Sequence, residues 1–184
     1  MADGQLERLR RLLLERSVRR GDFVLASGQR SSYYIDCRLT TMSAEGQRLI
    51  GELGWRALRD AGWRPRAVGG LTMGADPVAY AVAGASFATE MVIDAFSVRK
   101  ETKSHGTGRV IEGSFAEGDD VVIVEDVITT GGSAQRAIAS VEAAGGRVLG
   151  VLAVVDREEG GRMALEQSGK AVVALVRAGE LGLK

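Results

Sequence analysis

The chain has one cysteine, two prolines and no net charge. With Cys37 alone, an intrachain disulfide and a multi-cysteine metal site are both excluded, and a structural role for the thiol is expected. Twenty-four basic side chains balance 24 acidic ones. No overall field therefore draws the protein to nucleic acid or to a membrane surface, and neither is expected as a partner. There is no signal-like start and no long apolar span, so a cytoplasmic protein is expected. Neither G-x-G-x-x-G nor G-x-x-x-x-G-K-[ST] occurs, which removes the dinucleotide and nucleoside-triphosphate fingerprints. Internal repeats and low-complexity segments are also missing. Against the two prolines stand 25 glycines, in keeping with many tight backbone turns. A length of 184 residues suits one domain, 1–184, with a sizeable core.

Leu6, Leu9, Leu12, Leu13 and Leu14 predict an amphipathic helix closed by Gly21, with arginines from Arg8 to Arg20 as its solvated face. Residues 23–28 and 31–38 read as a hairpin turning at Gly28-Gln29-Arg30. From a helix start near Ser43 the pattern alternates. It gives a helix to Ala61, a strand at 67–71, a helix after Asp76-Pro77, a strand at 91–98 and a strand at 121–124 with its helix. A strand at 148–155, a helix to about Ser168 and a strand at 171–176 follow. Such alternation predicts an α/β fold, with a mostly parallel sheet covered by helices on both faces. Residues 1–42 would form an N-terminal helix and a hairpin hood packed on that core.

Ligands bind such sheets beyond the carboxyl ends of the strands, where four unusual loops fall: 69–77, 99–109, 125–133 and 155–159. The segment V-V-I-V-E-D-V-I-T-T-G-G-S-A, residues 121–134, carries the sharpest signal. Val121 to Val124 leave no polar side, as in a strand buried on both faces. Ser133 is a candidate cap for the helix that follows, and Ala134, Ala137, Ile138 and Val141 recur at helical spacing. A strand end leading into a helix start offers free backbone N–H groups to an anion, and the glycines allow close approach. Glu125 and Asp126 would repel a bare phosphate. Either they are ordinary strand-end acids, or they accept hydrogen bonds from the hydroxyls of a sugar phosphate and hold a hydrated divalent ion.

Arg99, Lys100, Lys103 and Arg109 crowd the 99–109 loop, beside Glu101 and the only histidine, His105. The loop is either a solvated surface or a lid whose cations close over a polyanion, with Gly106 and Gly108 allowing movement. Arg157 follows Asp156. It is either half of a local ion pair or a planar fork for a ligand carboxylate.

Residues 121–134 resemble the phosphoribosyl pyrophosphate (PRPP) signature of type I phosphoribosyltransferases. F-V-L-A-S-G-Q-R-S-S-Y-Y-I-D, R-K-E-T-K-S-H-G and V-V-D-R-E together resemble the orotate-using members of that family, over a span from Phe23 to Arg157. The resemblance implies a type I phosphoribosyltransferase fold and the substrates PRPP and orotate, with Mg2+ as cofactor. It also implies a homodimer with shared active sites. Arg99, Lys100, Lys103 and His105 would contact pyrophosphate, the last two reaching the partner subunit's site. Lys100, Lys103, His105 and Asp126 are the expected catalytic groups, with His105 acting as an acid or by charge alone. Glu125 and Asp126 would meet the ribose, with no dedicated metal ligand and metal contact through water. Val127, Ile128, Thr129, Thr130, Gly131, Gly132 and Ser133 would cradle the 5-phosphate. Ala26, Tyr34, Thr129 and Arg157 would hold the orotate ring. Two departures stand out: Met73-Gly74 replaces a Tyr-Lys common in the family, and Ala26 replaces a frequent lysine. A transferase for another base and a PRPP-sensing regulator are the alternatives.

Overall fold

Residues 2–24, 30–100 and 110–183 are described in the structure, a computed structural model. Helix α1 (Ala2–Arg16) buries Leu9, Leu12 and Leu13. It stops short of Gly21 because the leucine spacing gives out at Leu14. Ser17 then shares a buried hydrogen bond with Thr40 (2.7 Å), which ties the helix end to the short α2 (Arg38–Thr41). From Val18 the backbone pairs as strand β1 (Val18–Val24), antiparallel to β2 (Arg30–Ile35), with a register irregularity between Arg20 and Phe23. The hairpin thus begins earlier than its sequence pattern suggests. Gly28 and Gln29 of its expected turn lie outside the described residues.

Helix α3 (Ala44–Asp60) starts where expected, because the Ser43 hydroxyl accepts from the Gly46 N–H at 3.1 Å. Strand β3 (Ala67–Leu71), helix α4 (Ala75–Ser86) and strands β4 (Asp94–Val98) and β5 (Ile111–Gly113) come next. Strand β6 (Asp120–Ile128), helix α5 (Gly132–Ala143), strand β7 (Arg147–Asp156), helix α6 (Gly161–Gln167) and strand β8 (Val172–Arg177) follow, then a 3-10 turn at Ala178–Leu181. The sheet order is β5-β4-β3-β6-β7-β8. All pairings are parallel except β4 with β5. Strand β5 was not legible in the sequence, since three residues carry no period.

Strand alternation splits the core in two. Val122 and Val124 pack with α1, α3 and α4 on one face; Val121 and Ile123 pack with α5 and α6 on the other. Helices therefore cover both faces, as the alternating pattern predicts. Among the described residues no helix is long and apolar enough to cross a membrane.

Candidate active site

Strand β6 runs to Ile128, so Glu125 and Asp126 belong to the strand rather than to the loop expected at 125–133. On one side β6 keeps pairing with β7 through Ile128, whereas β3 pairs with it only as far as Ile123. The last residues of β6 thus border the crevice that opens where β3 diverges. The two acids serve different neighbours, as alternation along a strand requires. Glu125 lies in the field of Arg136 and Lys100, and Asp126 in that of Arg38 and Asp36.

Glu125 is 6% exposed, and its Oε1 is buried without a hydrogen-bond partner among the described residues. Burial, reinforced by the neighbouring Asp126 charge and opposed by Arg136 and Lys100, pushes its carboxyl up to about 8. Asp126 is also raised, chiefly by burial, although its Oδ1 accepts from the Val127 N–H at 2.9 Å. A buried acceptor left without a donor costs about 1–3 kcal/mol. A ligand hydroxyl would remove that cost.

Beside Glu125 a pocket of about 70 Å³ is lined by residues 127–134. That is room for a phosphate-sized group. Helix α5 begins at its rim, but Ser133 is not the cap. Gly131 holds that position at φ +82°, without a side-chain cap, and Ser133 sits within the first turn. A left-handed cap favours glycine, and it leaves the first N–H groups of α5 to a ligand. The sequence reading missed Gly161, which clamps this turn. Its N–H donates to the Thr129 carbonyl at 3.0 Å, and a Cβ there would lie 2.7 Å from the Gly131 nitrogen. The adjacent pair Gly160-Gly161 was the available signal.

The loop after β3 comes close to Asp126. A Cβ at Gly74 would come 2.7 Å from Asp126 Oδ1, so glycine permits the close approach. The loop is tied to β4 by the Thr72 N–H on the Val98 carbonyl (2.8 Å), and the start of α4 by Ser97 Oγ donating to Asp76 (2.7 Å). Lys100, just past β4, is exposed. The Arg99 guanidinium is engaged by Glu112 of β5 at 3.0 Å. Lys103, His105, Glu101, Gly106, Gly108, Arg109 and Ala26 lie outside the described residues.

Arg157 is buried, stacked over the Tyr33 ring (4.7 Å to its centroid) and paired with Glu159 at 2.6 Å. Tyr34 is 40% exposed and packs on Phe23 with ring centroids 5.8 Å apart. The alternation of β2 turns Tyr33 inward. Cys37 is buried, and its thiol is pushed well up by burial, then by Asp126 and Asp36, with Arg157 opposing. Among the described residues no three His, Cys, Asp or Glu side chains cluster as a metal cage. The orphaned Glu125 oxygen and Asp126 instead fit a hydrated divalent ion held largely by ligand oxygens.

The family model of the phosphoribosyl transferase domain matches residues 42–169. The orotate phosphoribosyltransferase of Aquifex aeolicus is 44% identical over 178 residues, covering 95% of this chain and 96% of its own. That of Mycobacterium avium is 44% identical, covering 100% and 99%. Among solved structures, orotate phosphoribosyltransferase of Mycobacterium tuberculosis in complex with Fe(III) dicitrate matches with a TM-score of 0.86 and 42% identity, over 97% of this chain and 99% of that one. The same enzyme in complex with PRPP matches with a TM-score of 0.82 and 40% identity, again over 97% and 99%.

Proposed function

The chain belongs to the phosphoribosyl transferase family, among its orotate phosphoribosyltransferases, and from that membership we propose how its residues divide the reaction. The reaction moves a phosphoribosyl group from PRPP to orotate, giving orotidine 5'-monophosphate and pyrophosphate. A transferase for another base and a non-catalytic sensor are set aside, because relatives 42–44% identical over nearly the whole chain are orotate enzymes.

The 5-phosphate enters the pocket at the start of α5, where Thr129 to Ser133 present backbone and hydroxyl donors. Glu125 and Asp126 accept hydrogen bonds from the ribose hydroxyls. Bond breaking at the anomeric carbon leaves positive charge on the ribose ring and sends an electron pair to the departing pyrophosphate. A ring nitrogen of orotate bonds to that carbon as its N–H proton is lost to solvent or to the departing pyrophosphate. Lys100, with Lys103 and His105, meets the charge growing on pyrophosphate, and one such pre-aimed contact is worth about 3 kcal/mol. No covalent intermediate on the protein is required. Arg157 receives the orotate carboxylate, stacked in place by Tyr33. Mg2+, held by PRPP oxygens and through water by Glu125 and Asp126, would neutralise pyrophosphate charge.

The protein acts as a cytoplasmic homodimer with shared sites. Exposed Leu39, Met42 and Met73 beside Asp36 and Arg38 support a partner surface near the active site. The observation that carries the site assignment is the buried Glu125 oxygen, without a partner among the described residues, beside the phosphate-sized pocket. Titration of PRPP with magnesium into Glu125→Gln and Asp126→Asn tests it. Both should bind at least tenfold more weakly than wild type, because the ligand's hydroxyls and magnesium draw out a carboxylate charge that an amide cannot develop. Wild-type affinity in both variants would remove the acids from the ribose site.

A further inference from the structure

The end of β7 and the turn after it carry three acids, and they are engaged differently. Asp156 Oδ1 accepts from the Glu158 N–H at 2.8 Å, and Glu158 Oε2 accepts from the Gly179 N–H at 2.7 Å. Glu159 is the acid committed to Arg157. Its Oε1 lies 2.9 Å from Nε and 2.6 Å from Nη2, so one carboxylate oxygen takes a whole edge of the guanidinium. That edge is where a planar ligand carboxylate would bind through two parallel hydrogen bonds. The Ser31 hydroxyl is a distant third partner at 3.5 Å.

The two ends of the pair also differ in freedom. The Arg157 side chain is 5% exposed and stacked on Tyr33, whereas the Glu159 side chain is 27% exposed. The cation is fixed. The carboxylate can swing toward solvent without uncovering the core.

We propose that Glu159 is an internal stand-in for the carboxylate of the base: it occupies Arg157 in the free protein, yields to the ligand, and so sets how strongly a carboxylated base is preferred. The inference rests on the reading of Arg157 as the group that receives the orotate carboxylate. A buried guanidinium without an anion carries a large desolvation penalty, which Glu159 offsets in the free protein. A ligand carboxylate arriving at this neutral pair must displace one anion to install another, so its net gain is small. Glu159→Gln keeps the shape and one acceptor but removes the charge. The penalty then falls on the free protein and is relieved when a carboxylated ligand binds.

Orotidine 5'-monophosphate and uridine 5'-monophosphate differ only in that carboxylate, and their dissociation constants in wild type, Glu159→Gln and Arg157→Lys test the proposal. In Glu159→Gln the preference for the carboxylated nucleotide should rise on the order of tenfold, through tighter binding of that nucleotide rather than weaker binding of the other. The free variant should melt lower than wild type and gain more on adding orotidine 5'-monophosphate. Glu159→Asp, too short to span both nitrogens, should shift the preference in the same direction by less, and it serves if the glutamine variant does not fold. An unchanged or reduced preference in the Glu159 variants, with a reduced preference in Arg157→Lys, would overturn the stand-in while leaving the Arg157 assignment intact. An unchanged preference in Arg157→Lys would remove the assignment beneath it, and the proposal with it.

Discussion

Replacing Glu125 by glutamine should flatten the dependence of stability on pH. The wild-type carboxyl is held at about 8 by burial and by Asp126, against an ordinary value of 4.5. Between those values the unfolded chain has released the proton and the folded chain keeps it, so unfolding becomes easier as pH rises. The slope is about 1.4 kcal/mol per pH unit for a single group. From pH 5 to pH 8 the wild type should therefore lose about 4 kcal/mol relative to Glu125→Gln, with Asp126, also raised, adding a loss in the same direction to both proteins. Urea unfolding of both proteins in a chelating buffer, at half-unit steps from pH 5 to pH 9, gives the difference directly. The curves should nearly run together at the acid end and separate progressively, with the variant the more stable at pH 8. Parallel curves would show that Glu125 is ionised throughout, and that its orphaned oxygen finds a partner in solution.

Three further expectations concern the scaffold and the assembly. Gly161→Ala pushes a methyl against the Gly131 nitrogen and the Thr129 carbonyl, so kcat/KM for PRPP should fall at least tenfold; unchanged kinetics would show that the 129–131 turn tolerates the shift. Ser43→Ala removes the α3 cap and should cost about 1 kcal/mol in urea unfolding without altering KM for either substrate; a KM change would tie the cap to the site. Mixing inactive Asp126→Ala and Lys103→Ala proteins should restore roughly a quarter of wild-type activity, because about half the dimers are mixed and half of their sites carry neither lesion; no recovery after verified exchange would mean that each subunit serves itself.

Much of this was legible in the sequence where a single physical period dominated. Four β-branched residues at 121–124 announced a doubly buried strand, and Ser43 announced a helix start; both stand in the structure. Where two signals overlapped, the sequence misled. The arginines after Leu14 prolonged a helical reading into what is strand β1, since charged residues fit an exposed helix face and an exposed hairpin equally well. Ser133 reads as a cap by residue type, but the packing of Gly131 against Gly161 moved the cap back to a left-handed glycine. At Arg157 the sequence admits either an ion pair or a ligand fork, and the structure shows a pair with Glu159. Tyr33 and Tyr34 could not be told apart without knowing which face of β2 turns inward.

The most direct measurement follows the loss of orotate and the release of pyrophosphate together, with PRPP and magnesium present and with each left out. Orotate should be consumed one for one with pyrophosphate released, only when PRPP is present, and uracil or adenine in its place should be consumed at no more than a few per cent of that rate. Equal consumption of uracil, or pyrophosphate release that does not require a base, would contradict the assignment of this strand-end site to phosphoribosyl transfer onto orotate.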